Sequence, residues 1–229
     1  MAAMIGLLHG ETRRDVVDDI SRAARAVGAT FHVNDAVEEG EVGLRVSFTG
    51  NHGDNAGRSY EEAMDLLNIM HSANDAPSVE SIDRQILDSL FQAESKAHDK
   101  PVSVIHLHEV GRTGSLLNMY GIGKACAALQ DSGAGEFVSS TIVTGRGIVV
   151  IAHGAVRVPA PACKHLLEGL KHEAGHEQGE RATPTGIAAV KVLTSSQTDE
   201  IPTRFKARSI GFGTRRFAGR LGRTVLIWP

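Results

Sequence analysis

Val102-Ser103-Val104-Ile105-His106-Leu107-His108-Glu109-Val110-Gly111 is an apolar, largely β-branched run that closes on two histidines and a carboxylate. Read as a strand, it sends side chains to alternate faces, so His106 and His108 point the same way, ~7 Å apart. At that spacing the two imidazoles can share one metal ion or one anionic ligand, with Glu109 at the strand's mouth. Imidazole with carboxylate suits a borderline divalent ion such as zinc, nickel or iron better than magnesium or calcium. A His-x-His at a strand end also occurs as a hydrogen-bonded pair facing solvent, and the segment alone leaves both readings open.

The rest of the chain must supply a body for this strand. At 229 residues and 41% hydrophobic content it can fill one sizeable core. A formal net charge of −3 gives no global basic field, and 4% aromatics offer little base-stacking surface. Nucleic acid is therefore not an expected partner. No apolar run reaches the ~20 residues that cross a bilayer, and Met1–Gly10 lacks the parts of a signal peptide, so no membrane is expected either. Cys126 and Cys163 stand apart in alanine-rich helical contexts, which reads as buried reduced thiols and a cytoplasmic setting.

Arg13–Val27 repeats Val16, Val17, Ile20, Ala23, Ala24 and Val27 at helical spacing, and Gly28 stops it. Phe31–Val33 and Val42–Thr49 read as strands that pair, and residues 51–57 as a loop. Ser59 caps a helix carrying Met64, Leu67 and Met70, with Glu62 as its capping-box partner. A long helix from about Val79 to His98 buries Ile82, Ile86, Leu90, Ala93 and Ala97, and another runs Leu116–Leu129. Phe137–Val143 and Gly147–Ala152 read as strands, the second apolar throughout and so expected to be central. Helices near Pro161–His172 and Pro184–Leu193 lead to strands Arg204–Ile210 and Thr224–Trp228. The expected fold is α/β (α+β), a mixed sheet with flanking helices in one region 1–229, divisible at about residue 55.

Three further places carry chemistry. His153 follows the apolar strand, with Gly154 turning the chain behind it; it faces the same crevice as His106 and His108, or serves a turn carbonyl. Val158-Pro159-Ala160-Pro161 makes a rigid strand-to-helix connection. In Glu180-Arg181-Ala182-Thr183-Pro184-Thr185-Gly186, Thr183 caps a helix and Pro184 opens it. Gly186 leaves backbone amides uncovered at the positive end of the dipole. Arg181, Thr183, Thr185 and Gly186 thus form either an anion site for a phosphate or an ordinary capped start. Arg204, Lys206, Arg208, Arg215, Arg216, Arg220 and Arg223 make the C-terminal stretch basic: a solvated face, a phosphate site or an acidic partner's landing. No Walker or Rossmann spacing is present.

In order, Gly57-Arg58-Ser59-Tyr60, Glu94–His98 with His106–Gly111, His153-Gly154 with Val158–Ala162, Thr183–Ala189 and Gly211-Phe212-Gly213 resemble the LarC-type nickel-insertion family. Five short motifs in register across 57–214 make the resemblance specific. It implies insertion of nickel into a pyridinium bis-thiocarboxylate mononucleotide, with CTP consumed, to make a nickel-pincer cofactor. The family usually opens with an additional strand and a Gly-Ile-Ser-Gly-Asp-type turn, and this chain begins at a point resembling the helix after it. The family's CTP-binding C-terminal region has no counterpart after Pro229, which implies a CTP-binding partner chain. After His-Glu-Val-Gly the family carries Ala-Val-Asp-Ser and a second aspartate three residues on. Here stand Arg112-Thr113-Gly114-Ser115 and then Asn118.

Under that resemblance His106, His108 and His153 hold or pass Ni²⁺ or another divalent metal, and Glu109 acts as base or orients a histidine. The Thr183 helix start, with Arg181, Thr185 and Gly186, takes the mononucleotide phosphate. A homo-oligomer is expected. The alternative is a non-catalytic metal-binding or assembly subunit of the same fold that needs a partner chain.

Overall fold

The computed structural model describes residues 1–50, 57–75, 81–151, 154–217 and 219–228. Helices α1 (Ala2–Leu7) and α2 (Gly10–Ala26) lead into the hairpin of β1 (Thr30–Glu38) and β2 (Glu41–Thr49). Helices α3 (Tyr60–Ser72), α4 (Ile82–His98) and α5 (Thr113–Asp131) follow. Then come β3 (Phe137–Ser139), β4 (Ile142–Val143), β5 (Gly145–Arg146), β6 (Ile148–Ile151), β7 (Gly154–Arg157) and α6 (Pro161–Leu167). The chain continues through β8 (His172–Glu173), β9 (Gly179–Glu180), α7 (Pro184–Leu193) and β10 (Thr194–Gln197), and closes on β11 (Ala207–Phe217) and β12 (Arg220–Trp228).

The helices form where the apolar period is 3.6. α3 starts at Ser59, whose side chain accepts from the Glu62 amide while the Glu62 carboxylate accepts from the Ser59 amide, the capping box read from sequence. α2 ends where Gly28 takes a φ of 77°. α4 buries Ile86, Leu87, Leu90, Phe91 and Ala93 and packs against α3, α5, α6 and α7. The sheet is mixed, in the order β1-β2-β11-β12: two antiparallel hairpins joined where β2 meets β11 in parallel at Leu44 and Gly211. α1 covers β11, and Gly211 is required there, because a Cβ would stand 2.6 Å from the Ala3 amide nitrogen.

Two expectations are corrected. Val102–Gly111 is not a sheet strand: Val102–Val104 forms one 3₁₀ turn, and only Leu107 makes a ladder-type bridge, with Arg58. The alternation survives nonetheless, with Ile105 and Leu107 buried and His106 and His108 exposed. The strand Ile148–Ile151 is not central either. It pairs only with β7 in a two-stranded hairpin, and Ile148 and Val150 are 66% and 81% exposed. An unbroken apolar run signals a strand without saying what covers its faces.

Because α4 is buried, its one buried charge is paired. Asp83 Oδ2 accepts from His71 Nε2 of α3 at 2.8 Å, and the His71 ring meets Tyr120 of α5 edge to face. Asn74 donates to the Tyr120 hydroxyl at 2.8 Å, closing a polar seam between α3, α4 and α5. Burial pushes the Tyr120 phenol well above its ordinary range. Asp83→Ala would strand the His71 donor in the core. It is expected to cost about 3 kcal/mol, read as a lower urea midpoint at unchanged slope.

Candidate metal and substrate site

The backbone around His106–Glu109 is held chiefly by Arg58. Arg58 and Leu107 exchange amide hydrogen bonds at 3.0 and 2.8 Å. The Arg58 guanidinium also donates to the Gly111 carbonyl at 2.5 Å and to Thr113 Oγ1 at 3.0 Å, at the first turn of α5. Ser115 Oγ donates to the Glu109 carbonyl at 3.1 Å. Gly57 lies so close that a Cβ would come 2.8 Å from His108 Nδ1 and 3.2 Å from His106 Cβ. The extended turn therefore presents His106, His108 and Glu109 outward from a fixed base.

The second segment carries a buried carboxylate to which sequence reading gives no role. Glu180, on β9, pairs with Gly145 of β5, which has a φ of 82° and admits no Cβ against the Gly179 carbonyl. Its carboxylate is largely buried. One oxygen lies 3.9 Å from Cys163 Sγ of α6, and the other accepts from Arg215 of β11 at 3.3 Å. Burial raises the Glu180 carboxyl above its ordinary range; Arg215 partly offsets this, and the charge of Glu109 adds to it. Of the His-x-His-Glu turn, it is the charge of Glu109 that acts on Glu180. The available signal was the Gly-Arg-Gly run at 145–147, two positive-φ glycines that let another backbone approach closely.

At the start of α7, Thr183 Oγ1 accepts from the Gly186 amide at 3.3 Å, Pro184 opens the helix, and Thr185 is half-buried. Arg181 is exposed and paired with Glu177 at 2.6 Å. This end is capped by its own side chain. His153 lies outside the described residues. Among the described residues no three His, Cys, Asp or Glu side chains come together as a metal cage, and no helix is long and apolar enough to cross a membrane. Gly114 has open space where a Cβ would stand. Asn118 donates back to the Gly114 carbonyl at 2.9 Å.

The braced turn carries an exposed imidazole pair and a carboxylate, and β9 and α6 carry a buried carboxylate and a buried thiol. The chain belongs to the nickel insertion protein family, whose pattern matches residues 1–226. It is 31% identical over 176 residues to the pyridinium-3,5-bisthiocarboxylic acid mononucleotide nickel insertion protein of Staphylococcus saprophyticus, covering 77% of this chain and 43% of that one. It is 27% identical over 221 residues to the protein of the same name from Clostridium kluyveri, covering 93% and 54%. The chain therefore spans about half the length of these curated relatives. No solved structure matches it.

The buried carboxylate gives a pH test. An acid whose folded pKa lies above its unfolded value is penalised in the fold once ionised. For Glu180 the penalty is absent below the ordinary value of 4.5 and grows as pH rises through the window above it. Glu180→Gln is expected to melt higher than the parent at pH 7 and to lose that advantage below about pH 4. The exposed end of the Arg215 pair contributes little against this.

Proposed function

We propose that this chain is the metal- and substrate-handling part of a nickel-insertion system that loads a pyridinium mononucleotide to give a nickel-pincer nucleotide cofactor. The observation that carries the reading is the family match over residues 1–226, with the exposed His-x-His-Glu turn braced by Arg58. Nickel is the cargo. His106 and His108, with His153, hold or pass the divalent ion through neutral imidazole nitrogens. Glu109 orients a histidine or accepts a proton. Thr183, Thr185 and Gly186 at the start of α7, with Arg181, take the substrate phosphate. For Arg181 this requires exchange of its exposed pair with Glu177, a contact of small worth. CTP chemistry then falls to a partner chain, and the working unit is a cytoplasmic homo-oligomer or a complex with that partner.

Incubated anaerobically with Ni²⁺ and desalted, the wild type is expected to retain metal at a defined stoichiometry. The double variant His106→Ala/His108→Ala should lose the share of metal those histidines hold; equal nickel in both sinks the assignment.

A second reading is favoured by Gly114 and Asn118, where the family has aspartates: a non-catalytic assembly subunit. CMP release in the presence of a CTP-binding partner separates the two, because only the first reading yields turnover. Gly114→Asp tests the missing carboxylate directly. The site has room, and an aspartate in the first turn of α5 favours the helix dipole, so stability should rise by about 0.5–1 kcal/mol in chemical denaturation. On the first reading, nickel retention should rise with it.

A further inference from the structure

Cys163 and Glu180 are buried titratable groups to which the proposed function assigns no task. The Cys163 side chain is fully enclosed at the start of α6, with its sulfur 3.9 Å from Glu180 Oε1. A thiol is a weak donor, so this contact does little for a carboxylate that burial already disfavours. Burial, then the charges of Glu180 and of Glu94 on α4, push the thiol up to about 12. A proton therefore sits where a cation would satisfy both groups. The spacing suits one. Thiolate sulfur ligates a first-row divalent ion at about 2.3 Å and carboxylate oxygen at about 2.0–2.2 Å. Two such ligands at a tetrahedral angle are then about 3.5 Å apart, so 3.9 Å needs only a modest widening.

We propose that Cys163 Sγ and Glu180 Oε1 form a two-ligand station for a divalent cation, latched by the Arg215 guanidinium on Glu180 Oε2. The ion enters as Cys163 loses its proton to water: the S–H bond breaks, metal–sulfur and metal–oxygen bonds form, and no redox change occurs. Arg215 is 60% exposed, against 12% for the Glu180 side chain, so the guanidinium can swing into water as the cation arrives. While it stays, its charge opposes a second cation at the same carboxylate. Thiolate with carboxylate suits nickel, cobalt or zinc rather than magnesium. Among the described residues no further His, Cys, Asp or Glu completes a cage. Open positions are what a cargo ion needs if it is to be handed on to sulfur donors of a substrate. That last step rests on the proposed function; the station itself does not.

Anaerobic titration with Co²⁺ tests it, read by the near-ultraviolet thiolate-to-cobalt band and by calorimetry. The wild type should show a thiolate band that saturates at one ion per chain. Cys163→Ser and Cys163→Ala should lose the band while Cys126→Ser keeps it, with thermal melts checking that each is folded. Glu180→Gln should weaken the band-forming event by tenfold or more. Arg215→Gln should strengthen it about threefold or more, the direction a merely structural pair would not give. A wild type that binds cobalt without the band, or a band that survives both Cys163 variants, overturns the proposal. An Arg215→Gln variant that weakens cobalt binding overturns the latch. The double variant His106→Ala/His108→Ala keeps the two readings apart. Cobalt lost there, with no thiolate band in the wild type, leaves the histidine reading standing and this one fallen; a band undiminished there leaves the station standing, and cobalt lost there outside the band is the share of the histidines.

Discussion

Everything that meets at the candidate site is hung on the enclosure of one helix. α4 buries Ile86, Leu87, Leu90 and Phe91 almost completely, and each such side chain contributes roughly 1.5–3 kcal/mol by leaving water. α5, α6 and α7 all pack on it, so the elements bearing Thr113, Cys163 and Thr183 take their positions from a shared surface. Its C-terminal residue His98 is followed by Asp99 in the left-handed region, and five residues after Pro101 the chain reaches His106. The His-x-His-Glu turn therefore inherits its place from the helix end, and Arg58 only has to hold it there. The same enclosure explains the His71–Asp83 pair: a helix covered on several sides leaves an aspartate in its first turn no water to face.

The helices were legible because their signal is local. The period of α2, the capping box of α3 and the run of α4 each need only neighbours in sequence. The alternation of Ile105, His106, Leu107 and His108 was legible for a related reason: it requires extended backbone and not a sheet. What was misjudged depends on distant coverage. Ile148-Val149-Val150-Ile151 looks like the middle of a sheet, yet it lies in a two-stranded hairpin with Ile148 and Val150 in solvent. Glu180 was invisible as a site residue because its burial is made by α6, β5 and β11, elements far apart in sequence. Thr183 was read correctly as a cap, and the same bond that makes it one engages the Gly186 amide.

The basic C-terminal stretch changes meaning once its partners are known. Arg208 and Arg223 both reach Glu41, and Arg216 reaches Glu38, at the turn end of the β1–β2 hairpin. Hydrogen bonding to Arg208 first, and the charge of Arg223 with it, hold the Glu41 carboxyl below its ordinary range. Arginines that looked available to an anion are thus engaged with carboxylates from the acidic part of the chain. Exposed pairs of this kind add little stability singly. Their effect is register: two hairpins that touch through a single parallel bridge are clasped by charges at their edges. Arg215, next to Arg216 on β11, pairs instead with Glu180. Adjacent positions of one strand thereby set Arg216 at the edge of the β1–β2 hairpin and Arg215 against the buried carboxylate.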